Sequence, residues 1–270
     1  MTLPSELRNL DVDLPASPRV LVELLALLQD GEVPLAAVAQ LIESDMALAS
    51  AVVRTVNSAM FGLLRRVQTV GEAVRYLGTD EVVAITYESA LRAAFPPTPA
   101  LDAVWSHASR AGLLMGRSAQ ALGLDALQAH TAGLFARCGQ AVLLVKVAQP
   151  YAALLAAARG DRQALVQAEQ KTFGINHAAL GSALCAAWGL APDVVKYVRE
   201  HVRPPGQWAE LQTPVRRLLG LGAVVEALLA DASVSVADVA AAVSPGSGCG
   251  PADLVAAVQP SWRRLQAVDA

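Results

Sequence analysis

The chain of 270 residues has four histidines, at His107, His130, His177 and His201. Imidazole can ligate a metal, carry a proton or simply hydrogen-bond. A single imidazole does not make a metal site. His107, in "WSHAS", reads as an inner-face histidine bonded to a neighbour. His177 opens "HAALGSALCAAWG" behind Asn176, a natural N-cap. His201 closes "PDVVKYVREHV", near a helix C-terminus where a protonated imidazole is favoured. Both read as mainly structural.

Arg137, in "HTAGLFARCG", is the most informative polar residue. A permanent cation near the end of an apolar helix must find a carboxylate, carbonyls, water or an anion. Two readings follow: a bidentate site for a phosphate or carboxylate, or an internal ion pair or snorkelled surface arginine. His130 precedes Arg137 by seven residues, two turns away on nearly the same face of one helix ending at Gly139. That spacing would make the two one wall of a pocket, or leave His130 a polar edge near the helix start. Cys138 follows the arginine, which favours a thiolate, but its apolar surroundings read as a small buried hydrophobe. There is no G-x-S-x-G elbow, phosphate-binding P-loop or G-x-G-x-x-G turn.

The elements that must hold these residues are helices. Apolar residues recur at spacings of three and four, without a sustained alternation of period two. "PRVLVELLALLQDG" starts at Pro18 and stops at Asp30-Gly31; Asp45 caps "DMALASAVVRTVNSAMFG", which stops at Gly62. Thr69 and Glu72 have capping-box spacing, and the next helix ends at Phe95. In "VNSAMFG", Asn57 reads as a helix end, and Met60 and Phe61 as plugs between two halves. "PPTP", Pro96 to Pro99, breaks the chain because consecutive prolines remove donors and restrict their neighbours. "RPPGQW", Arg203 to Trp208, is a second break. Beyond it come a long helix from about Pro214 to Ala230, a shorter one, a flexible "SPGSGCGP" loop and a short last helix.

Hydrophobic residues make up 54% of the chain and charged ones 17%, with a net charge of −3. That balance argues against nucleic acid and anionic membranes as partners, and the Arg-Arg pairs of "LLRRVQ" and "SWRRLQ" read as solvated charges. Three cysteines without a CxxC pair suggest neither a zinc ribbon nor a disulfide framework, which fits a reducing compartment. The start, "MTLPSELRNLDVDLP", lacks the pattern of a signal peptide. Lys146 and Glu226 interrupt the most apolar windows before they reach membrane-spanning length. A cytoplasmic protein is expected.

From "LPASPRVLVELL" through "LIESDMAL", "VNSAMFG" and "TVGEAVRYLG", the first half resembles the HDOD domain family. The second half resembles it through "VWSHASRAG", "HTAGLFARCG" and "FGINHAALGSALCAAWGLAPDVVKYVREHV". The likeness runs in one unbroken order over roughly residues 10 to 203. It implies an all-α, HD-domain-like fold: an N-terminal helical subdomain over 10–95, an HD-like one over 100–203, and an extension over 204–270 packed on the HD-like part. Members are regarded as bacterial signalling domains related to metal-dependent phosphohydrolases but lacking their full catalytic set.

An HD site arranges a first histidine, an adjacent His-Asp pair and a distal aspartate around a metal, which lowers the pKa of a bound water. By the resemblance, the first histidine is His107 and the His-Asp pair falls on Ala136-Arg137. The helix expected to carry the distal aspartate has only Glu226. A cation stands where a carboxylate would be, with no compensating carboxylate next to it in sequence. The expectation is a domain with no catalytic residues, metal or cofactor, acting through signalling-protein partners. A pocket formed by His107, His130, Arg137, His177 and His201 could take a small phosphate-containing ligand. A divergent metal-dependent phosphohydrolase and a cyclic-dinucleotide or nucleotide-binding regulator stand as alternatives.

Overall fold

A computed structural model describes residues 14–29, 34–231 and 233–269. Every regular element among them is a helix. The chain forms two units that divide after Ala94, just before the prolines read as the first break. Of the described residues, those within 16–94 and 260–269 form the smaller unit, and 14, 15 and those within 95–259 the larger. The expected start at residue 10 and the expected stop at Asp30-Gly31 lie outside the described residues. Arg203 to Trp208 holds only a short 3-10 turn and does not divide units. The expected extension over 204–270 is instead shared, with 204–259 in the larger unit.

In the smaller unit, α1 (Arg19–Gln29), α2 (Leu35–Glu43), α3 (Met46–Val56) and α4 (Val70–Leu77) pack against α5 (Thr79–Ala93). Ten consecutive residues of α5, Val82 to Leu91, are buried, the mark of a core helix rather than a surface one. Asp45 caps α3 through Oδ1, which accepts from Ala47 and Leu48 N–H. Thr69 caps α4, but Glu72 reaches back to Gln68 N–H. The helix expected to run to Gly62 ends at Val56. Asn57 stops it by donating to Val53 and Val67 carbonyls and accepting from Val67 N–H. Gly62, at φ 60°, closes a separate 3-10 turn over Ala59–Phe61.

The larger unit is built on α6 (Pro99–Ala119) and α7 (Ala126–Phe135). Their backbones approach closely, since a Cβ on Gly133 would lie 2.8 Å from the Ala111 carbonyl. Then follow α8 (Cys138–Lys146), α9 (Ala148–Ala158), α10 (Arg162–Phe173), α11 (His177–Ala187) and α12 (Pro192–Glu200). Next come α13 (Thr213–Ala230), α14 (Val236–Ser247) and α15 (Pro251–Asp269), the last with only residues 251–259 in this unit.

Three expectations change here. The helix read as continuous to Gly139 breaks at Arg137, whose φ of −105° and ψ of 6° leave the helical region. Gly139 is not a stop but a contact, because a Cβ there would sit 1.9 Å from the His177 carbonyl oxygen of α11. The "SPGSGCGP" stretch is not a flexible loop, since α14 runs through Pro245 to Ser247. Its serines bond locally: Ser244 Oγ donates to the Cys249 carbonyl and Cys249 N–H donates to Ser247 Oγ. The last helix is long, at 19 residues. Among the described residues, no single helix is long and apolar enough to cross a membrane.

Candidate functional site

The break between α7 and α8 turns Arg137 toward α13. There its Nη2 donates to Oε2 of Glu226 at 2.8 Å. The other oxygen, Oε1, pairs at 2.8 Å with Nε2 of His107 on α6. A carboxylate only accepts, so that imidazole nitrogen carries the proton. Arg162, at the first turn of α10, brings Nη2 to 3.6 Å from Glu226 Oε2. Glu226 is only 11% exposed. Burial acts to raise its pKa, but the charge of Arg137 and the hydrogen bond from His107 outweigh burial and hold it well below the usual carboxylate range. The sequence placed no carboxylate next to Arg137, and the fold supplies one from 89 residues away.

A second buried cluster adjoins the first. Glu169 of α10 is fully buried. It accepts from Tyr151 Oη at 2.8 Å, from His177 N–H at 3.0 Å and from His177 Nδ1 at 2.8 Å. Asn176 Oδ1 caps α11 through Ala179 N–H, as its position suggested. His201 lies edge-on to His177, with ring centroids 5.6 Å apart. Its Nδ1 bonds the Val198 carbonyl at 2.8 Å. The protonated imidazole expected at this helix end is not favoured. Burial, with the charges of His177 and Arg162, lowers the His201 pKa to about 3.

Arg137, Arg162, His177, His201 and Glu226 all line one cleft of about 180 Å³. His107 reaches it through Glu226. His130 does not belong to it. It is buried in the α6–α7 contact, where Cβ atoms on Gly112 and Gly116 would meet it at 3.0 and 2.9 Å. The helix break takes away the shared face that the seven-residue spacing implied. Burial, reinforced by Arg117, lowers the His130 pKa to about 4, and its Nε2 has no hydrogen-bond partner among the described residues.

Glu169, Tyr151 and Arg162 were not singled out by sequence. Arg162 and Glu169 sit in "RQALVQAEQKTF", a largely polar helix. The only cue is its position just before the segment carrying His177.

The HD-type metal set does not fit these residues. Ala136 offers no donor atom. Both Glu226 oxygens are engaged, one by a guanidinium that would repel a divalent cation. His177 Nδ1 is committed to Glu169. Among the described residues, no group of three or more His, Cys, Asp or Glu is placed to hold a metal ion.

The helix order and this altered set at the HD positions define the class: an all-helical, HD-domain-like protein. The model of the HDOD domain matches residues 14–204, and the chain belongs to that family. A Shewanella amazonensis SB2B protein, provisionally named a phosphohydrolase, is 22% identical with a TM-score of 0.74 over 95% of each chain. An HDOD domain protein of unknown function from Geobacter sulfurreducens is 21% identical, with a TM-score of 0.67 over 96% of this chain and 93% of that one. A protein of Marinobacter aquaeolei VT8, provisionally named for signal transduction, is 20% identical, with a TM-score of 0.72 over 98% of this chain and 62% of that one. These likenesses establish the fold and extend over the helices beyond residue 204. An uncharacterised Treponema pallidum (strain Nichols) protein is 28% identical over 203 residues, 72% of this chain. The match spans only 38% of that relative's length.

Proposed function

We propose that this HDOD chain is a non-catalytic bacterial signal-transduction domain, which acts by presenting its helical surfaces to partner proteins in the cytoplasm. The observation that carries the reading is the Arg137–Glu226–His107 cluster. Where an HD enzyme would direct lone pairs at a metal, this chain directs a guanidinium and an imidazole N–H at one carboxylate. That arrangement spends both carboxylate oxygens on protein donors and leaves neither to hold a metal that would activate water. The provisional name of the Marinobacter protein accords with a signalling role.

The test is direct. Purified protein incubated with phosphomonoesters and phosphodiesters, with Mg²⁺ and Mn²⁺ supplied, is expected to show no turnover and no stoichiometric bound metal. Hydrolysis that disappears in His107→Ala would overturn the reading. Cross-linking in cells, followed by identification of the captured chains, is expected to return signalling proteins.

A further inference from the structure

The cleft beside Glu226 holds more guanidinium donors than that carboxylate can satisfy. Arg137 and Arg162 come from different elements and converge on one oxygen, Oε2 of Glu226. Each guanidinium has five N–H donors in a planar fork. Apart from the Glu226 contacts, Arg162 gives one bond among the described residues, from Nη1 to the His201 carbonyl at 3.2 Å. Both side chains stay about a third exposed, at 31% and 37%, so unused donors are open to the cleft. Asp161 also lines the cleft, but its Oδ1 is occupied by Gln163 and Ala164 N–H at the start of α10. The negative charge of Glu169 is fully buried and engaged by Tyr151 and His177. The cleft's volume of about 180 Å³ suits a tetrahedral oxyanion better than a whole nucleotide.

From this geometry we infer that the cleft is a binding site for a small oxyanion, a phosphate or the phosphate end of a larger ligand, which bridges Arg137 and Arg162 in competition with Glu226. Glu226 is the resident stand-in: its carboxylate occupies the position beside the two guanidiniums that the ligand would take. The same carboxylate also accepts from His107 on α6. An arriving anion therefore releases α13 from both α6 and the α7–α8 turn. Because α13 packs on α14, occupancy of the cleft is felt in the last helices of the larger unit. The consequence for signalling rests on the function proposed above, whereas the binding itself does not.

Isothermal titration of the full chain with inorganic phosphate at constant ionic strength tests the site. Saturable binding is expected, weakened at least roughly tenfold in Arg162→Gln and Arg137→Gln. Glu226→Gln removes the competing charge and is expected to tighten binding by roughly tenfold or more. Arg162 is the more exposed of the two arginines, so its variant keeps the test valid if Arg137→Gln misfolds. A parallel titration with AMP distinguishes the ligand's source: tighter binding than phosphate indicates the phosphate end of a larger molecule, and weaker binding indicates the free ion. Absence of saturable binding in both the unmodified chain and Glu226→Gln would overturn the site, as would unchanged affinity in Arg162→Gln. Either result would leave the non-catalytic reading intact. Conversely, phosphoester turnover would remove that reading without touching the site.

Discussion

Arg137 and Glu226 lie 89 residues apart in the chain and 2.8 Å apart in the fold. The pair joins the α7–α8 turn to α13. Removing one member of such a nearly buried pair leaves the other charge without its partner, which typically costs about 3–5 kcal/mol when burial is complete. Glu226→Leu, with the partly exposed Arg137 able to reach water, is expected to cost roughly 2–3 kcal/mol. The double variant Arg137→Met with Glu226→Leu is expected to recover part of that loss, because the guanidinium no longer lacks a partner although His107 Nε2 still does. Urea denaturation midpoints for the two single variants and the double variant give the coupling. Additive losses would show that the pair is not a unit.

Glu169 offers a stricter case, because it is fully buried and its two oxygens serve Tyr151 and both the N–H and Nδ1 of His177. Glu169→Gln turns one acceptor into a donor facing groups that already donate. A loss of about 3 kcal/mol or more is expected, from the unmade bonds and the desolvated groups left behind. Tyr151→Phe removes a single donor and is expected to cost about 1–2 kcal/mol. Thermal melts should keep that order, and a Glu169→Gln protein as stable as Tyr151→Phe would contradict it.

Most of the framework was legible in the sequence because it rests on local chemistry. Asp45, Thr69 and Asn176 cap the helices they precede, since a short polar side chain just before an apolar run satisfies free N–H groups. The prolines at 96–99 fall at the unit boundary for an equally local reason. The site was less legible. Nothing marks Arg137 as a helix break, because neither proline nor a stop glycine precedes it. Gly139 carries the usual appearance of a stop, yet its role is to admit the His177 carbonyl, a contact made 38 residues away. Glu169 lies in a polar helix, and only the tertiary arrangement shows that its carboxylate is buried. His107, Arg137, His177 and His201 were all singled out. Of their partners, Glu226 was named only as the acid on its helix and Glu169 not at all, because a buried partner is chosen by the fold and not by spacing.

The close approach of α8 to α11 gives a prediction with an internal control. A Cβ on Gly139 would fall 1.9 Å from the His177 carbonyl oxygen, which is backbone and cannot turn aside. Gly139→Ala must therefore push the two helices apart, at an expected cost above about 3 kcal/mol. Among the described residues, no atom would lie within 4 Å of a Cβ on Gly206, whose φ is not positive. Gly206→Ala is expected to stay within about 0.5 kcal/mol of the unmodified protein. Denaturant midpoints measured side by side would contradict the close-packing account if the two variants lost stability equally.

Acid should weaken the fold well before its carboxylates titrate. The pKa of His130 is lowered to about 4, by burial and then Arg117, and that of His201 to about 3, by burial and then His177 and Arg162. In the unfolded chain both return to about 6.5. Between about pH 6.5 and 4 the unfolded state therefore binds protons that the folded state refuses, and stability rises with pH across that window. For His130, which is only 5% exposed, the shift corresponds to a loss of roughly 3 kcal/mol on going from pH 7 to pH 4. Glu226 acts lower down. Its depressed pKa contributes stability that is complete above the unfolded value, near 4.3, and lost as pH falls below it. Urea titrations at pH 7, 6, 5 and 4 read the proton uptake on unfolding from the slope. His130→Gln cannot titrate, so its slope near pH 5 is expected to be smaller by about one proton. Equal slopes for the two proteins would show that His130 protonates in the fold as readily as in the open chain.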